Sequence, residues 1–314
     1  MSNESQPVDL TGDRGLQDLR ETLYHVVFLT CATVSVLTTL GIILALVLPS
    51  LTFFSEVSLG SFLLGTEFNP SIKPVSFGVL PLVFGTLLVT AGAAAVALPI
   101  GLLTAIYLSE YAGARRRAVL KPMLEVLAGV PTVVYGYFAL VYVTPILDSI
   151  PGLELGTFNA LSASLVMGIM IIPMVSSISE DSMSAVPDSL RNGAYGLGAT
   201  KYEVSTSVVV PASVSGIAAS YILALSRAIG ETMIVVVAAG QNPRLPSSVS
   251  GVLTSFFQST QTMTSAIVQL GLSDLAGGTT AYRALFAIGL VLFVMTLGLN
   301  LFSDFITQRY QEEY

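Results

Sequence analysis

The chain has 314 residues, and its composition excludes an ordinary soluble protein. Hydrophobic residues make up 53% of it and charged residues only 11%, with a mean hydropathy of +0.78. Soluble domains carry about 25% charged residues. The net charge of −7 argues against nucleic-acid binding, and one histidine and one cysteine argue against a disulfide framework or a His/Cys metal site. The composition therefore predicts an integral membrane protein without a bound metal or cofactor.

Six apolar stretches are long enough to cross a bilayer, which takes about 20 residues per helix. They lie at about 25–49, 79–108, 119–147, 161–178, 214–239 and 284–306. Their apolar runs are continuous rather than alternating, which favours helices over a β-barrel. The first run is too long for the apolar core of a signal peptide, so we interpret it as a retained span that follows a tail at 1–24. The sequence predicts an all-α integral membrane protein with one six-span domain at 25–314.

The few basic residues indicate the orientation of these spans. With the N-terminus in the cytoplasm, nine Lys and Arg residues fall on the cytoplasmic side and three on the other side, while Arg227 lies inside a span. Cytoplasmic loops are enriched in Lys and Arg. We therefore expect a multi-pass protein of the cell (plasma or inner) membrane with both termini in the cytoplasm.

The loop at 180–211, between spans four and five, is too polar to cross a membrane but contains helix and turn signals. A short helix is predicted over 189–196, and Gly198 is suited to end it because glycine accepts positive φ. A second helix is predicted to begin after Thr200 in a capping box. This arrangement predicts a rigid surface at the membrane that docks on a cytoplasmic partner.

The spacing within this loop resembles the coupling loop of ABC importer permeases, written E-A-A-x-x-x-G, nine residues, then I-x-L-P. The matching positions are Asn192, Gly193, Ala194, Gly198 and Pro211, the last of which opens span five. Asn192 replaces the usual Glu and Gly193 the first Ala, although an asparagine side chain also accepts hydrogen bonds. The alternative is a generic amphipathic surface loop. The resemblance implies an ATPase-docking loop and the MetI-like fold of type I importers.

Further stretches resemble the phosphate-specific transport (Pst) permeases, in particular the PstC type. They are FGVLPLVFGTLLVT at 77–90, ALPIGLLTAIYLSEY at 97–111, EVLAGVPTVVYGYFAL at 125–140 and LSRAIGETMIVVVAAG at 225–240. PstC and PstA share much of this pattern; GVLPLVFGTLLVT, and GETM before a long apolar run, favour PstC. The resemblance implies an importer of inorganic phosphate that works by ATP-driven alternating access, with a permease core at about 77–306.

The same resemblance implies the partners of this chain. A second permease of PstA type completes the membrane path, a PstB-type ATPase dimer binds at the cytoplasmic side, and a PstS-type phosphate-binding protein docks outside. ATP hydrolysis then belongs to a separate chain, and this subunit is not an enzyme. The sequence has no G-x-x-x-x-G-K-[ST] motif, in agreement with a separate ATPase. Membrane lipid surrounds the spans, and no nucleic-acid partner is expected.

Arg227 and Glu231 are the candidate substrate-path residues, because they place charge inside span five. A charge at the centre of a span costs about 2.5–3.5 kcal/mol, and the i, i+4 spacing predicts that the two side chains share a helix face and pair. Arginine suits phosphate because its planar fork donates two parallel hydrogen bonds. We expect Arg227 to contact the anion, Glu231 to hold Arg227, and Thr232 and Thr90 to offer hydroxyls. The alternative is a structural ion pair that fixes the helix.

Other functions also fit parts of the sequence. A permease for another oxyanion, such as molybdate or sulfate, would use the same arginine, and only the motif resemblance favours phosphate. An ion-coupled secondary transporter or channel would work alone and often contains inverted repeats, but the coupling loop would then have no purpose. A membrane-embedded enzyme would need a catalytic constellation of His, Cys or paired acids, and the sequence shows none.

Overall fold

The computed structural model describes residues 14–70, 73–246, 248–273 and 278–310. Within these ranges the helices are α1 (Arg14–Glu56), α2 (Leu59–Leu64), α3 (Leu80–Ile106), α4 (Ala114–Ala128), α5 (Thr132–Phe138), α6 (Thr144–Asp148), α7 (Ala160–Ser184), α8 (Asp188–Gly196), α9 (Lys201–Val204), α10 (Val210–Ala212), α11 (Val214–Gly230), α12 (Val249–Ser255), α13 (Met263–Leu272) and α14 (Thr280–Tyr310). The π-helical stretches are Tyr107–Tyr111, Ala139–Val143, Ser205–Val209 and Val235–Ala239. The strands β1 (Phe68–Asn69) and β2 (Ser76–Phe77) pair antiparallel, with Phe68 opposite Phe77.

Four helices are each long and apolar enough to cross a membrane: α1, α3 with its π-helical extension, α7 and α14. They confirm the first, second, fourth and sixth predicted spans. The described chain is therefore a multi-pass membrane protein. α1 already begins at Arg14, inside the predicted tail, and residues 1–13 of that tail lie outside the described residues.

The third and fifth predicted spans are broken rather than continuous helices in the structure. α4 meets α5 and α6 at 86°, and the helical segment 201–212 meets α11 at 70°. At the first bend Pro131 precedes α5 and has ψ 134°, which is not helical. Proline breaks a helix because it lacks an N–H and its ring clashes with the preceding turn. In span five, α11 ends because Glu231 is extended, with φ −65° and ψ 134°. Counting each bent pair as one broken span gives up to six spans in the described chain.

The core lies where α3 packs along α7, and a glycine brings the two helices close together. A Cβ on Gly92 would lie 2.7 Å from the Ser164 side chain. Small residues let membrane helices approach closely, which matters because lipid supplies no hydrophobic force between them. α11 packs on the same helix, with the hydroxyls of Ser179 and Ser220 bonded at 2.8 Å. This three-helix frame positions the candidate site.

The two ends of the helix bundle differ in character. We call the end with α4, α8 and α9 the basic end and the end with β1, β2 and α12 the loop end. At the loop end α1 is joined to α14 by an ion pair between Glu56 and Arg283 at 2.6 Å. Beside it, the rings of Phe53, Phe62 and Phe77 pack edge to face with centroids 5.3–5.5 Å apart. These contacts hold α1 to the bundle at its C-terminal end.

A re-entrant segment, residues 259–272, enters the bundle from the loop end. It first runs antiparallel to the end of span five: the Thr260 N–H donates to the Ala239 carbonyl at 2.9 Å, and the Thr264 hydroxyl donates to the Glu231 carbonyl at 2.8 Å. Thr264 lies in the first turn of α13, which packs against α14. Non-helical backbone at membrane depth is tolerated where protein surrounds it and satisfies its polar groups. The tip of the re-entrant segment therefore lies at the break in span five.

Candidate functional site

The loop at the basic end has the helix–turn–helix form that the sequence predicts. α8 covers the predicted helix, Gly198 has φ +87°, and Thr200 caps α9 in a capping box with Glu203. These local predictions are confirmed. Pro211 lies in α10, three residues before α11 begins, so it precedes the bend rather than opening a straight helix.

The residues of the coupling motif lie on the outside of this loop. Asn192 and Gly193 are exposed in α8, and Ala194 is half-buried against the inner cluster of the loop. Beside them Leu197 and Tyr202 are 92% and 69% exposed. Exposed apolar side chains beside the motif are compatible with a surface that docks on a protein partner.

Arg191 ties the coupling loop to the bundle. Its Nη2 donates to Glu110 Oε1 at 3.2 Å and to the Met183 carbonyl at 2.7 Å, and its Nη1 donates to the Val186 carbonyl. Glu110 lies in the π-helical extension of α3, and its side chain is only 6% exposed. The loop is thereby bonded to the ends of both α3 and α7. Nothing in the coupling motif indicates this role for Arg191.

Glu180 is a fully buried carboxylate that joins α7 to α4. It accepts hydrogen bonds from Lys121 Nζ at 2.8 Å, from the Ser184 hydroxyl at 3.0 Å and from Arg117. Lys121 also pairs with Asp181 at 2.9 Å. A buried carboxylate persists only where cations and donors compensate it, so this network fixes the position of α4 against α7. The sequence signal for such a network is an acidic residue in the last turns of an apolar helix.

A cavity of about 450 Å³, the Arg227 cavity, lies between α4, α7 and α11. Its charged lining residues are Lys121, Glu125, Glu180 and Arg227. Arg227 is exposed in the described chain and forms no hydrogen bond or ion pair with any residue there. It lies 13 residues after the start of α11, about 20 Å along the helix. A guanidinium without a protein partner, on a cavity inside a span, is available to an anion.

The predicted ion pair between Arg227 and Glu231 is wrong. α11 ends at Gly230, so Glu231 leaves the helix and the two side chains no longer share a face. Glu231 Oε1 instead accepts hydrogen bonds from the N–H groups of Met233 at 3.0 Å and Ile234 at 3.4 Å. A carboxylate is favoured at this position because it caps the positive N-terminal end of the helical segment that follows. The alternative of a structural ion pair fails for the same reason.

The two threonines predicted beside the path do not line the Arg227 cavity as the structure describes it. Thr232 is half-buried and donates to the Gly230 carbonyl at 3.3 Å. Thr90 is buried within α3. The structure thus places Arg227 with Lys121 on one cavity, and Thr232 at the break in span five.

Comparison with known proteins decides the family. Residues 97–312 match the binding-protein-dependent transport system inner membrane component family. The chain belongs to this family. It is 31% identical over 309 residues to the probable ABC transporter permease protein YqgH of Bacillus subtilis, covering 98% of this chain and 97% of the relative. It is 34% identical over 296 residues to the phosphate transport system permease protein PstC of Haemophilus influenzae, covering 86% and 89%.

Chains of solved ABC transporters share this fold. A chain of a bacterial alginate ABC transporter, determined with an alginate-bound periplasmic protein, superposes with a TM-score of 0.64. The match covers 95% of this chain and 98% of that chain at 16% identity, which shows the fold alone. The predicted all-α, MetI-like importer permease fold is confirmed.

Proposed function

We propose that this chain is the permease subunit of an ABC transporter that imports inorganic phosphate by ATP-driven alternating access. The observation that carries the proposal is the Arg227 cavity. It presents a guanidinium with no bonded partner among the described residues, inside a span of a chain that is 34% identical to a phosphate permease. Further relatives named PstC are 32% and 33% identical over most of the chain, which supports the same substrate.

Arg227 is the proposed contact for the passing anion. Its planar guanidinium matches two phosphate oxygens at once, which a lysine ammonium does not. Lys121, on the same cavity, is already bonded to Glu180 and Asp181 and is therefore less available. In this proposal Glu231 stabilises the break in span five by capping the helical segment that follows it. Thr232 offers a hydroxyl beside this break.

The basic end is proposed to face the cytoplasm, together with both termini, because Lys and Arg concentrate in cytoplasmic loops. There the loop at 180–211 contacts a PstB-type ATPase dimer, a separate chain that hydrolyses ATP. The contact uses the motif positions Asn192, Gly193, Ala194, Gly198 and Pro211. A PstA-type permease completes the membrane path, and a PstS-type phosphate-binding protein docks at the loop end. The permease core extends over about 77–306.

Uptake of radiolabelled phosphate into proteoliposomes tests this proposal. The vesicles contain this chain, the PstA-type permease and the ATPase, and loaded binding protein is added outside. We expect phosphate to accumulate only when ATP is enclosed and the binding protein is present. Accumulation of labelled molybdate or sulfate instead of phosphate would assign another oxyanion. Uptake by this chain without the ATPase would assign a secondary transporter.

A further inference from the structure

A second cavity lies at the loop end, and five carboxamide side chains line it; we call it the amide cavity. Its volume is about 240 Å³. The amides are those of Asn69, Gln241, Asn242, Gln261 and Gln269. They come from β1, from the chain that follows span five and from the re-entrant segment. Amides from three separate parts of the chain thus converge on one space.

The absence of negative charge from the described lining of the amide cavity favours an anion. Each carboxamide offers two N–H donors and no negative charge, and no carboxylate is among the described residues that line this cavity. Two neighbouring cavities at the loop end differ in this respect. One of about 520 Å³ is lined by Glu56 and Glu67, and one of about 360 Å³ is lined by Glu154 together with Arg244. Carboxylates repel an oxyanion, whereas the described lining of the amide cavity consists of apolar groups and neutral amides whose N–H groups can donate to it.

Two of the amides have their oxygens engaged, which leaves their N–H groups for a ligand. Gln269 Oε1 accepts from Gln261 Nε2 at 2.6 Å. With its amide oriented as the hydrogen bonds require, Asn242 Oδ1 accepts from Arg244 Nε and Nη2, each at 2.9 Å. Arg244 also donates to Gln258 Oε1 at 3.2 Å, so it brings positive charge near the cavity. Neutral amides bind an anion less tightly than a guanidinium does, which suits a site that must release its ligand.

The re-entrant segment joins the amide cavity to the break in span five. Gln261, only 1% exposed, belongs to this segment. Three residues further along, the Thr264 hydroxyl donates to the Glu231 carbonyl, and Arg227 lies four residues before Glu231. Next to Thr264 the buried Ser265 hydroxyl has no hydrogen-bond partner in the described chain. Polar groups therefore continue from the amide cavity to the helix that carries Arg227.

We propose that the amide cavity is the outer subsite of the phosphate path. It takes the oxyanion at the loop end and passes it beside the tip of the re-entrant segment towards Arg227. The subsite deepens the proposed function and rests on it, since its ligand is the transported anion.

Gln269→Glu is the most direct test of this subsite. The variant adds one negative charge to the amide cavity, while its carboxylate still accepts the hydrogen bond from Gln261 Nε2. In vesicles with the complete transporter we expect phosphate uptake to fall by about tenfold or more, because like charges a few ångströms apart repel. The loss should be larger above the second pKa of phosphate, where the dianion predominates. Gln241→Glu adds the same charge at an exposed position and should act in the same direction.

Gln258→Glu is the matched control. It adds the same charge at the loop end and keeps an acceptor for Arg244, but it lies outside the amide cavity. We expect its uptake to equal that of the unmodified chain. The ATPase rate stimulated by loaded binding protein is measured on the same vesicles and should persist in all three variants.

Three results would overturn the subsite while phosphate import itself stands. Normal uptake in both Gln269→Glu and Gln241→Glu would show that the anion does not pass the amide cavity. An equal loss in Gln258→Glu would reduce the effect to surface charge. Loss of the stimulated ATPase rate in the cavity variants would assign this cavity to docking of the binding protein. Absence of phosphate uptake by the unmodified transporter would instead refute the proposed function, and the subsite with it.

Discussion

At the residue scale, the Arg227 cavity contains two kinds of charge. The Glu180 carboxylate is completely buried, and Lys121 and Arg117 compensate it. The cations are 30% and 40% exposed, so water screens part of the attraction and the network stabilises less than a fully buried one. Arg227 differs because no described side chain bonds to it. Glu180 is thus compensated by its neighbours, whereas Arg227 is a charge inside a span without a bonded partner among the described residues, which makes it a candidate functional residue.

Glu180→Gln is expected to lower the free energy of unfolding by about 2 kcal/mol, because Arg117 then loses its carboxylate partner and Lys121 keeps only Asp181. Thermal unfolding in detergent measures the effect, which should be a fall of several degrees in Tm, at roughly 2–4 °C per kcal/mol. Glu125→Gln is the matched control, since Glu125 lines the same cavity and is exposed. Equal Tm values for both variants and the unmodified chain would show that the network does not stabilise the fold.

At the element scale, the sequence predicts the coupling loop well because the signals there are local. A capping box, a glycine and a proline each specify the conformation of a few neighbouring residues. The break in span five has no comparable signal, since residues 214–239 contain no proline and read as one apolar helix. α11 ends there because Glu231 caps the next segment and Thr264, 33 residues away, donates to its carbonyl. Such distant hydrogen bonds are not visible in a local pattern.

Gly198→Ala is expected to strain the turn between α8 and α9. A Cβ there meets open space, but the φ of +87° disfavours an L-residue by about 1–2 kcal/mol. We expect the ATPase rate stimulated by the binding protein to fall, because the coupling surface is displaced. Gly196→Ala is the control, since it also adds a methyl group in open space but at a residue of α8 with a helical φ and outside the coupling motif. Equal rates in the two variants would show that the left-handed turn does not position the loop.

At the scale of the whole molecule, the packed pair of α3 and α7 connects the two ends. At the loop end the Met263 N–H of the re-entrant segment donates to Thr86 of α3 at 3.0 Å. At the basic end Glu110 of the α3 extension pairs with Arg191 of the coupling loop at 3.2 Å. Contacts therefore run from the loop that would meet an ATPase to the segment that borders the path. Scarce charge and motif spacing predict the fold class and the family, and Pro131 marks the third-span bend locally, whereas the re-entrant segment depends on hydrogen bonds between distant residues.

The decisive measurement is ATP-dependent phosphate uptake by the complete transporter with Arg227→Gln, compared with Arg227→Lys. Arg115→Gln serves as the control, because Arg115 is exposed on α4 and does not line the Arg227 cavity. Loss of a charged hydrogen-bond donor worth about 1.5–3 kcal/mol predicts a fall of roughly 10- to 100-fold in uptake for Arg227→Gln. The fall should be smaller for Arg227→Lys, and both variants should assemble and retain stimulated ATPase activity. Normal phosphate uptake by a folded, assembled Arg227→Gln transporter would contradict the proposed role of this cavity.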